Sequence, residues 1–147
     1  MISELYQKTI LKYAANAIAH GAIEHADHSV TVHNPMCGDR ITVYIKLDGK
    51  KLQTFSHEAK ACALCQASAS LLGEHYQSLT EESLSSLIAL LRKSLSEKPE
   101  DVQNKWPHEK WQALDIFNVV RDHKSRQTCV TLPFDALLQA MTEINQS

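Results

Sequence analysis

The sequence is poor in the residues that mark unfolded or repetitive chains. Its 147 residues include 4 Gly and 4 Pro, whereas hydrophobic residues make up 44% of the total. This scarcity excludes collagen-like and low-complexity architectures, and the hydrophobic content argues against disorder. A chain of this length is large enough to bury one hydrophobic core. We therefore expect a single domain that comprises residues 1–147.

Neither an excess of positive charge nor a long apolar run is present. Fifteen Lys and Arg residues stand against 17 Asp and Glu residues, which gives a formal net charge of -2. Proteins that bind nucleic acid normally carry a basic excess, and a helix that spans a bilayer needs about 20 apolar residues. The N-terminal segment also lacks the apolar centre of a signal peptide. The sequence therefore predicts a soluble, cytoplasmic protein with no nucleic-acid or membrane partner.

The cysteines are too few for a secreted domain held together by disulfides. There are 4, and in a reducing compartment such residues bind metal, do chemistry or lie buried as small apolar side chains. Cys37 follows an Asn-Pro turn, Cys62 lies where a strand pattern changes to a helical one, and Cys129 follows a polar stretch. Thiolates are exposed and activated at such places when charge is nearby. These three cysteines are therefore candidate functional residues, although any one of them could be a buried apolar residue.

Hydrophobic periodicity predicts a small sheet followed by helices. Alternating apolar residues run from Ile41 to Leu47, and Asp48-Gly49 is a strong signal for a two-residue hairpin. Thr80 is placed to cap a helix that carries a leucine stripe. The predicted strands comprise residues 29–32, 40–47 and 51–56. The predicted helices comprise residues 3–20, 61–76 and 80–95, a shorter segment introduced by Trp106-Pro107 that runs through Phe117, and a last helix that begins near Pro133. The fold class is α+β, with a three-stranded antiparallel sheet packed by helices.

The predicted topology brings four potential metal ligands to one end of the sheet. Cys37 lies between the first two strands, and Asp39 lies two residues after it. Cys62 follows the third strand, and Cys129 precedes the last helix. Three thiolates and one carboxylate suit a tetrahedral zinc site or part of an iron–sulfur cluster. Cys62 and Cys65, spaced as C-x-x-C at a helix start, could equally form a redox pair.

Four motifs occur in order along the chain: NPMCGDR at residues 34–40, KLDG at 46–49, CALCQASAS at 62–70 and RQTC at 126–129. Together they resemble the U-type iron–sulfur cluster assembly proteins, the family of IscU, SufU and the N-terminal domain of NifU. The resemblance covers nearly the whole chain. It implies a three-stranded antiparallel sheet with helices, in agreement with the fold predicted from periodicity.

Within this family the chain is more similar to SufU than to IscU. A helical stretch at about residues 77–122 resembles the SufU-type insertion, and Arg126 stands three residues before the last cysteine, as in SufU. IscU has a histidine immediately before that cysteine, whereas this chain has Thr128.

The resemblance implies a role in iron–sulfur cluster assembly, with Cys37, Asp39, Cys62 and Cys129 as metal ligands. In a SufU-like protein these residues bind zinc, and Cys37 accepts persulfide sulfur from a cysteine desulfurase of the SufS or IscS type. In a scaffold they hold a [2Fe–2S] cluster that is donated to downstream assembly proteins or apo-proteins. We expect the zinc-dependent sulfur acceptor, with the scaffold as the alternative. Such an acceptor could be an enzyme, namely a sulfurtransferase that works with the desulfurase, and this point stays open. A purely structural zinc site fits less well, because such sites normally have four Cys or His ligands.

Two positions depart from the family pattern. Ala61 replaces the glycine that usually precedes the second cysteine, which stiffens the loop. Cys65 stands where members of the family commonly have Ser or Ala. It could be a fourth thiolate, a resolving thiol for a persulfide or a buried spectator, and we expect the spectator.

Overall fold

The computed structural model describes residues 4–34, 38–96 and 106–145 of the chain. These residues form an α+β fold with a three-stranded antiparallel sheet, as the sequence predicts. A 3-10 helix at Glu109–Val120 separates the last two α-helices. The other elements, in chain order, are α1 (Glu4–Asn16), β1 (His28–Asn34), β2 (Asp39–Asp48), β3 (Lys51–Lys60), α2 (Ala63–His75), α3 (Glu81–Ser96) and α4 (Lys124–Asn145).

The sheet has the strand order β1-β2-β3, and one of its faces is covered by helices. Ile41, Val43 and Ile45 alternate along β2 with more exposed residues, and all three are fully buried. α4 packs against β1 and β2 on this side. Gly49 has a φ of 61° in the turn between β2 and β3, a conformation that favours glycine. The predicted hairpin is therefore confirmed.

Small residues in its middle let α2 lie close to its neighbours. Ala67, Ser68, Ala69 and Ser70 are all fully buried. The Ser68 hydroxyl donates a hydrogen bond of 2.5 Å to the carbonyl oxygen of Val130 in α4. This bond ties together the two helices that carry cysteines of the candidate site.

The stretch after α2 is helical, as predicted, and begins with a well-formed cap. The Thr80 hydroxyl oxygen accepts from the Ser83 backbone N–H at 3.1 Å, and the Ser83 hydroxyl oxygen accepts from the Thr80 N–H at 2.9 Å. This reciprocal pair satisfies backbone donors at the start of α3. The predicted leucine stripe is buried, as is Trp111 in the 3-10 helix. Residues 97–105 of the predicted insertion lie outside the described residues.

The predicted start of the last helix is wrong. α4 begins at Lys124, so that Cys129 lies within the helix and Pro133 lies inside it rather than near its start. Proline favours a helix start because it has no N–H to donate. Here the apolar face that includes Val130, Phe134 and Leu137 continues through the proline and is buried, and we infer that this packing outweighs the missing hydrogen bond.

Residues 17–21, which we call the 17–21 segment, lead from α1 to the sheet and are held at several points. Its Ile18 N–H donates to the Ser70 hydroxyl at 3.0 Å, and its Ala19 carbonyl oxygen accepts from the His57 N–H at 3.0 Å. Gly73 of α2 allows this approach, because a Cβ on it would lie 2.7 Å from both the Ala19 Cβ and the Ile18 oxygen.

Candidate metal centre

Three of the four predicted ligands come together. One ligand atom from each of Asp39, Cys62 and Cys129 lies within 4.8 Å of the other two. Asp39 is the first residue of β2, Cys62 is the N-cap of α2, and Cys129 lies in the second turn of α4. The three side chains therefore lie where the sheet and two helices meet. The sequence predicts this convergence, but with Cys129 before the last helix rather than within it.

Asp39 is buried and directly connected to Cys62. Its Oδ1 accepts a hydrogen bond of 2.9 Å from the Cys62 backbone N–H, and its Oδ2 lies 3.6 Å from the Cys62 Sγ, within reach of the thiol proton. Asp39 pairs across the sheet with Asn34, and the Gly38 N–H donates to the Asn34 carbonyl at 2.9 Å. Gly38 has a φ of 69°, which explains the need for glycine in this turn.

Cys129 is 2% exposed and is approached from two sides. The Asn34 side-chain amide donates to its Sγ at 3.7 Å, and the thiol donates to the Ser125 carbonyl at 3.6 Å. Hydrogen bonds to sulfur are long and weak, so these contacts orient the sulfur without fixing it. Asn34 was part of the NPMCGDR motif, but its contact with Cys129, 95 residues away, could not be predicted from the sequence.

Cys62 is the exposed member of the group. It caps α2 without a side-chain hydrogen bond to the helix, at a position where the helix dipole favours negative charge. Among the three described side chains of the site, its sulfur is therefore the most accessible to an incoming ion or protein.

The residues present suit a zinc ion. Two thiols and a carboxylate belong to the ligand types that zinc binds, at about 2.0–2.3 Å from the metal. Two ligands of one ion thus lie less than about 4.6 Å apart, and the three atoms of this site already lie within 4.8 Å of one another. Small side-chain movements would bring them onto a single ion.

Cys37 lies outside the described residues. In the chain it precedes Gly38, which adjoins Asp39. Its assignments as fourth ligand and as sulfur acceptor stay predictions.

Cys65 is fully buried in the hydrophobic core, and no disulfide joins it to Cys62. Among the described residues, the group that could hold a metal ion does not include it. This burial supports the expectation that Cys65 is a spectator, and it argues against the redox pair.

The other candidate side chains lie around the centre rather than in it. Arg126 is exposed and lines an apolar cavity of about 270 Å³ with Leu11, Leu64 and Val119. His33 and His123 are exposed as well. None of the hydrogen bonds found within the described part of the chain joins Arg126 to Cys129.

His57 is buried but serves the 17–21 segment. Its Nε2 lies 2.9 Å from the Ile18 carbonyl oxygen, and in the described residues its Nδ1 has no hydrogen-bond partner. Burial lowers the pKa of His57, and this outweighs the opposite effect of the Ile18 carbonyl. We infer a neutral imidazole that donates from Nε2.

Within the described residues, no helix combines the length and the apolar character needed to cross a membrane.

Comparison with known proteins agrees with this fold. The family model described as NifU-like N terminal domain matches residues 5–144. The solved structure of an N-terminal NifU-like protein from Brucella abortus superposes with a TM-score of 0.84 at 32% sequence identity, covering 97% of this chain and 95% of that one.

Two curated relatives carry different functional names. The iron–sulfur cluster assembly scaffold protein IscU of Thermotoga maritima is 27% identical over 142 residues, which are 97% of this chain and 96% of that protein. The zinc-dependent sulfurtransferase SufU of Bacillus subtilis is 25% identical, with 92% of this chain and 88% of that protein covered.

Proposed function

The chain belongs to the family of NifU-like N-terminal domains, and on that premise we propose that it serves iron–sulfur cluster assembly as a zinc-dependent acceptor of persulfide sulfur from a cysteine desulfurase. The observation that carries this proposal is the close approach of Asp39, Cys62 and Cys129, whose ligand atoms lie within 4.8 Å of one another. Such spacing suits one metal ion.

A two-iron cluster places different demands on the same residues. In a [2Fe–2S] cluster with four protein ligands, each iron binds two of them. Any three of these ligands then include at least one ligand of each iron. Ligands of different irons have to lie farther apart than two ligands of one ion. The three described ligands would have to separate to hold a cluster, whereas one zinc ion needs little movement.

The proposed ligands are Cys37, Asp39, Cys62 and Cys129. When bound there, zinc would keep the thiols deprotonated and hold the ends of β2, α2 and α4 together. Asp39 is the weakest of the four for a thiophilic ion, because a carboxylate is a harder ligand than a thiolate. The proposed site is therefore closed by a ligand that exchanges readily.

Cys37 is the proposed sulfur acceptor. Its thiolate attacks the terminal sulfur of a persulfide on the desulfurase cysteine, a new S–S bond forms on Cys37, and the old S–S bond breaks. The desulfurase cysteine leaves as a thiolate with the electron pair of that bond, so no external oxidant or reductant is needed. A second exchange of the same kind passes the sulfur to a downstream assembly protein. Cys129 suits this role less, because it is 2% exposed.

The SufU-like assignment rests on the middle of the chain. We propose residues 1–147 as one domain in which the stretch at about 77–122, with α3 and the 3-10 helix, is the SufU-type insertion. The Bacillus subtilis relative carries the name zinc-dependent sulfurtransferase. The cytoplasmic location stays a prediction from the sequence.

The second candidate is a scaffold that builds a [2Fe–2S] cluster and donates it to apo-proteins. It is favoured by the Thermotoga maritima relative, which carries the name scaffold and aligns over 97% of this chain. Because so little of this chain is left unaligned, the presence of the insertion does not by itself exclude a scaffold.

One experiment separates the two. The purified chain is incubated without oxygen with a cysteine desulfurase, cysteine and ferrous iron, and bound zinc, iron and sulfide are measured beside the rate of desulfurase turnover. We expect about one zinc per chain, no bound sulfide beyond persulfide, and faster turnover. About two iron and two sulfide per chain, transferable to an apo-ferredoxin, would instead establish the scaffold.

Substitution of Cys37 tests the acceptor. Cys37→Ala is expected to abolish the acceleration of the desulfurase, because the attacking thiolate is gone. The matched control is Cys65→Ser, which removes a thiol from the core and should keep both zinc and acceleration. Full acceleration by Cys37→Ala would contradict the proposed transfer.

A further inference from the structure

Two positive charges lie opposite each other at the end of the sheet that carries the site. Arg40 of β2 pairs directly with Lys60 of β3, and on its other side Arg40 pairs with His33 of β1. All three residues are exposed. Like charges directly opposite on neighbouring strands destabilise a sheet, so the fold keeps this arrangement at a cost.

The two cations share this face of the sheet with the carboxylate of Glu58. Arg40 and Lys60 line an open polar cavity of about 360 Å³ together with Thr31, Thr42 and Glu58. The two threonine hydroxyls bond to each other at 2.8 Å, and Glu58 accepts a hydrogen bond from the Tyr44 hydroxyl. None of the ion pairs found among the described residues includes Arg40 or Lys60.

The charges border the candidate metal centre. Arg40 follows Asp39 directly, and Lys60 stands two residues before Cys62, the exposed thiol. On α4, the exposed Lys124 lies in the first turn, ahead of Cys129. Three basic residues thus stand close in the chain to three of the candidate ligands.

We propose that Arg40 and Lys60 form a docking surface for acidic side chains of the protein that delivers sulfur. This inference rests on the proposed function. It states that the desulfurase carries acidic side chains near its persulfide. Exposed charges in water bind a single small anion weakly, whereas the summed field of a patch guides a large charged partner and sets its orientation. The openness of the sheet face and the exposure of both cations therefore favour a protein over a small anion.

The test compares two ends of one sheet face. Lys60→Glu and Lys46→Glu each change the net charge by two units, and both residues lie on the side of the sheet opposite its core face, Lys46 at the far end of β2. The readout is the concentration of chain that gives half-maximal acceleration of a cysteine desulfurase. At low ionic strength we expect Lys60→Glu to raise it about tenfold with the maximal rate unchanged, and Lys46→Glu to change it less than about twofold.

Folding is controlled within the same design. Lys60→Glu replaces a repulsive cross-strand pair with an attractive one, so its thermal unfolding midpoint should be equal to or higher than that of the wild type. Added salt should raise the concentration of wild-type chain that gives half-maximal acceleration, and it should raise that concentration less for Lys60→Glu.

The possible outcomes are distinct. Equal effects of the two substitutions, or a Lys60→Glu variant that matches the wild type, would overturn the docking surface while leaving the sulfur acceptor intact. A wild-type chain that never accelerates the desulfurase would contradict the proposed function itself. Binding of inorganic phosphate that Lys60→Glu abolishes, with acceleration unaffected, would show a small-anion site and overturn the protein partner.

Discussion

Two of the regions in which this fold buries polar groups are built differently. At the candidate metal centre, the sulfurs of Cys62 and Cys129 make contacts of 3.6–3.7 Å. At the 17–21 segment, hydrogen bonds of 2.8–3.0 Å join the segment to β3 and α2. Long contacts to sulfur hold a group in place only loosely, whereas short bonds between oxygen and nitrogen fix it. The two sulfurs of the first region are therefore held less firmly than the backbone of the second.

Gly73→Ala, which disturbs the 17–21 segment, should have the largest effect of the substitutions that test this difference. The added Cβ would lie 2.7 Å from the Ile18 carbonyl oxygen, a backbone atom that cannot move alone. We expect a loss of about 2–3 kcal/mol in the free energy of unfolding, measured by chemical denaturation. The double variant with Ala19→Gly should recover part of it, since that change removes one contact and relieves a φ of 65°. An unchanged stability would mean that the 17–21 segment is not held tightly.

A smaller effect is expected from Asp39→Cys, which should hold zinc more firmly at the candidate metal centre. A fourth thiolate in place of the carboxylate should slow the release of zinc to a chelator about tenfold or more. Asp39→Asn, which has a similar shape and no charge, is the control and should release zinc faster than the wild type. Release from Asp39→Cys that is as fast as from the wild type would remove the proposed role of Asp39 as the exchangeable ligand.

The smallest effect concerns the acidity of His57. Burial lowers the pKa of this imidazole from 6.5, so the unfolded chain takes up the proton first as the pH falls. The free energy of unfolding should therefore decrease as the pH drops below about 6.5 and level off below the lowered pKa. Denaturation at several pH values, compared with His57→Gln, checks this, because the variant should lose that part of the pH dependence. An identical pH dependence in both proteins would assign it to other groups.

Much of the fold could be predicted because its signals are local. The Asp48-Gly49 turn, the alternation along β2 and the cap at Thr80 each depend on residues close in sequence, and each is confirmed. The start of α4 was missed because Pro133 gives a local signal for a helix start, whereas the helix is held by packing against the sheet and α2. Tertiary burial decided this boundary, and periodicity alone does not reveal it.

For the candidate centre, the sequence predicted which side chains approach one another. The sequence predicts that Asp39, Cys62 and Cys129 approach one another, and they do, although Cys129 lies within α4 and not before it. It does not indicate that Asn34 contacts Cys129 or that Ala17 and Ala19 adopt positive φ values, since both depend on residues distant in the chain. From the sequence, Cys65 is already expected to be a buried spectator, and the packing of α2 agrees, with Cys62 exposed and Cys65 in the core.

The uneven exposure of the thiols determines which of them oxygen and other oxidants reach first. Cys62 is exposed, whereas Cys65 and Cys129 are buried. Oxidation of a thiol to a sulfenic acid and then to irreversible forms follows its accessibility. Among the described cysteines, damage to the metal-free protein is therefore expected to begin at Cys62, the thiol next to Asp39.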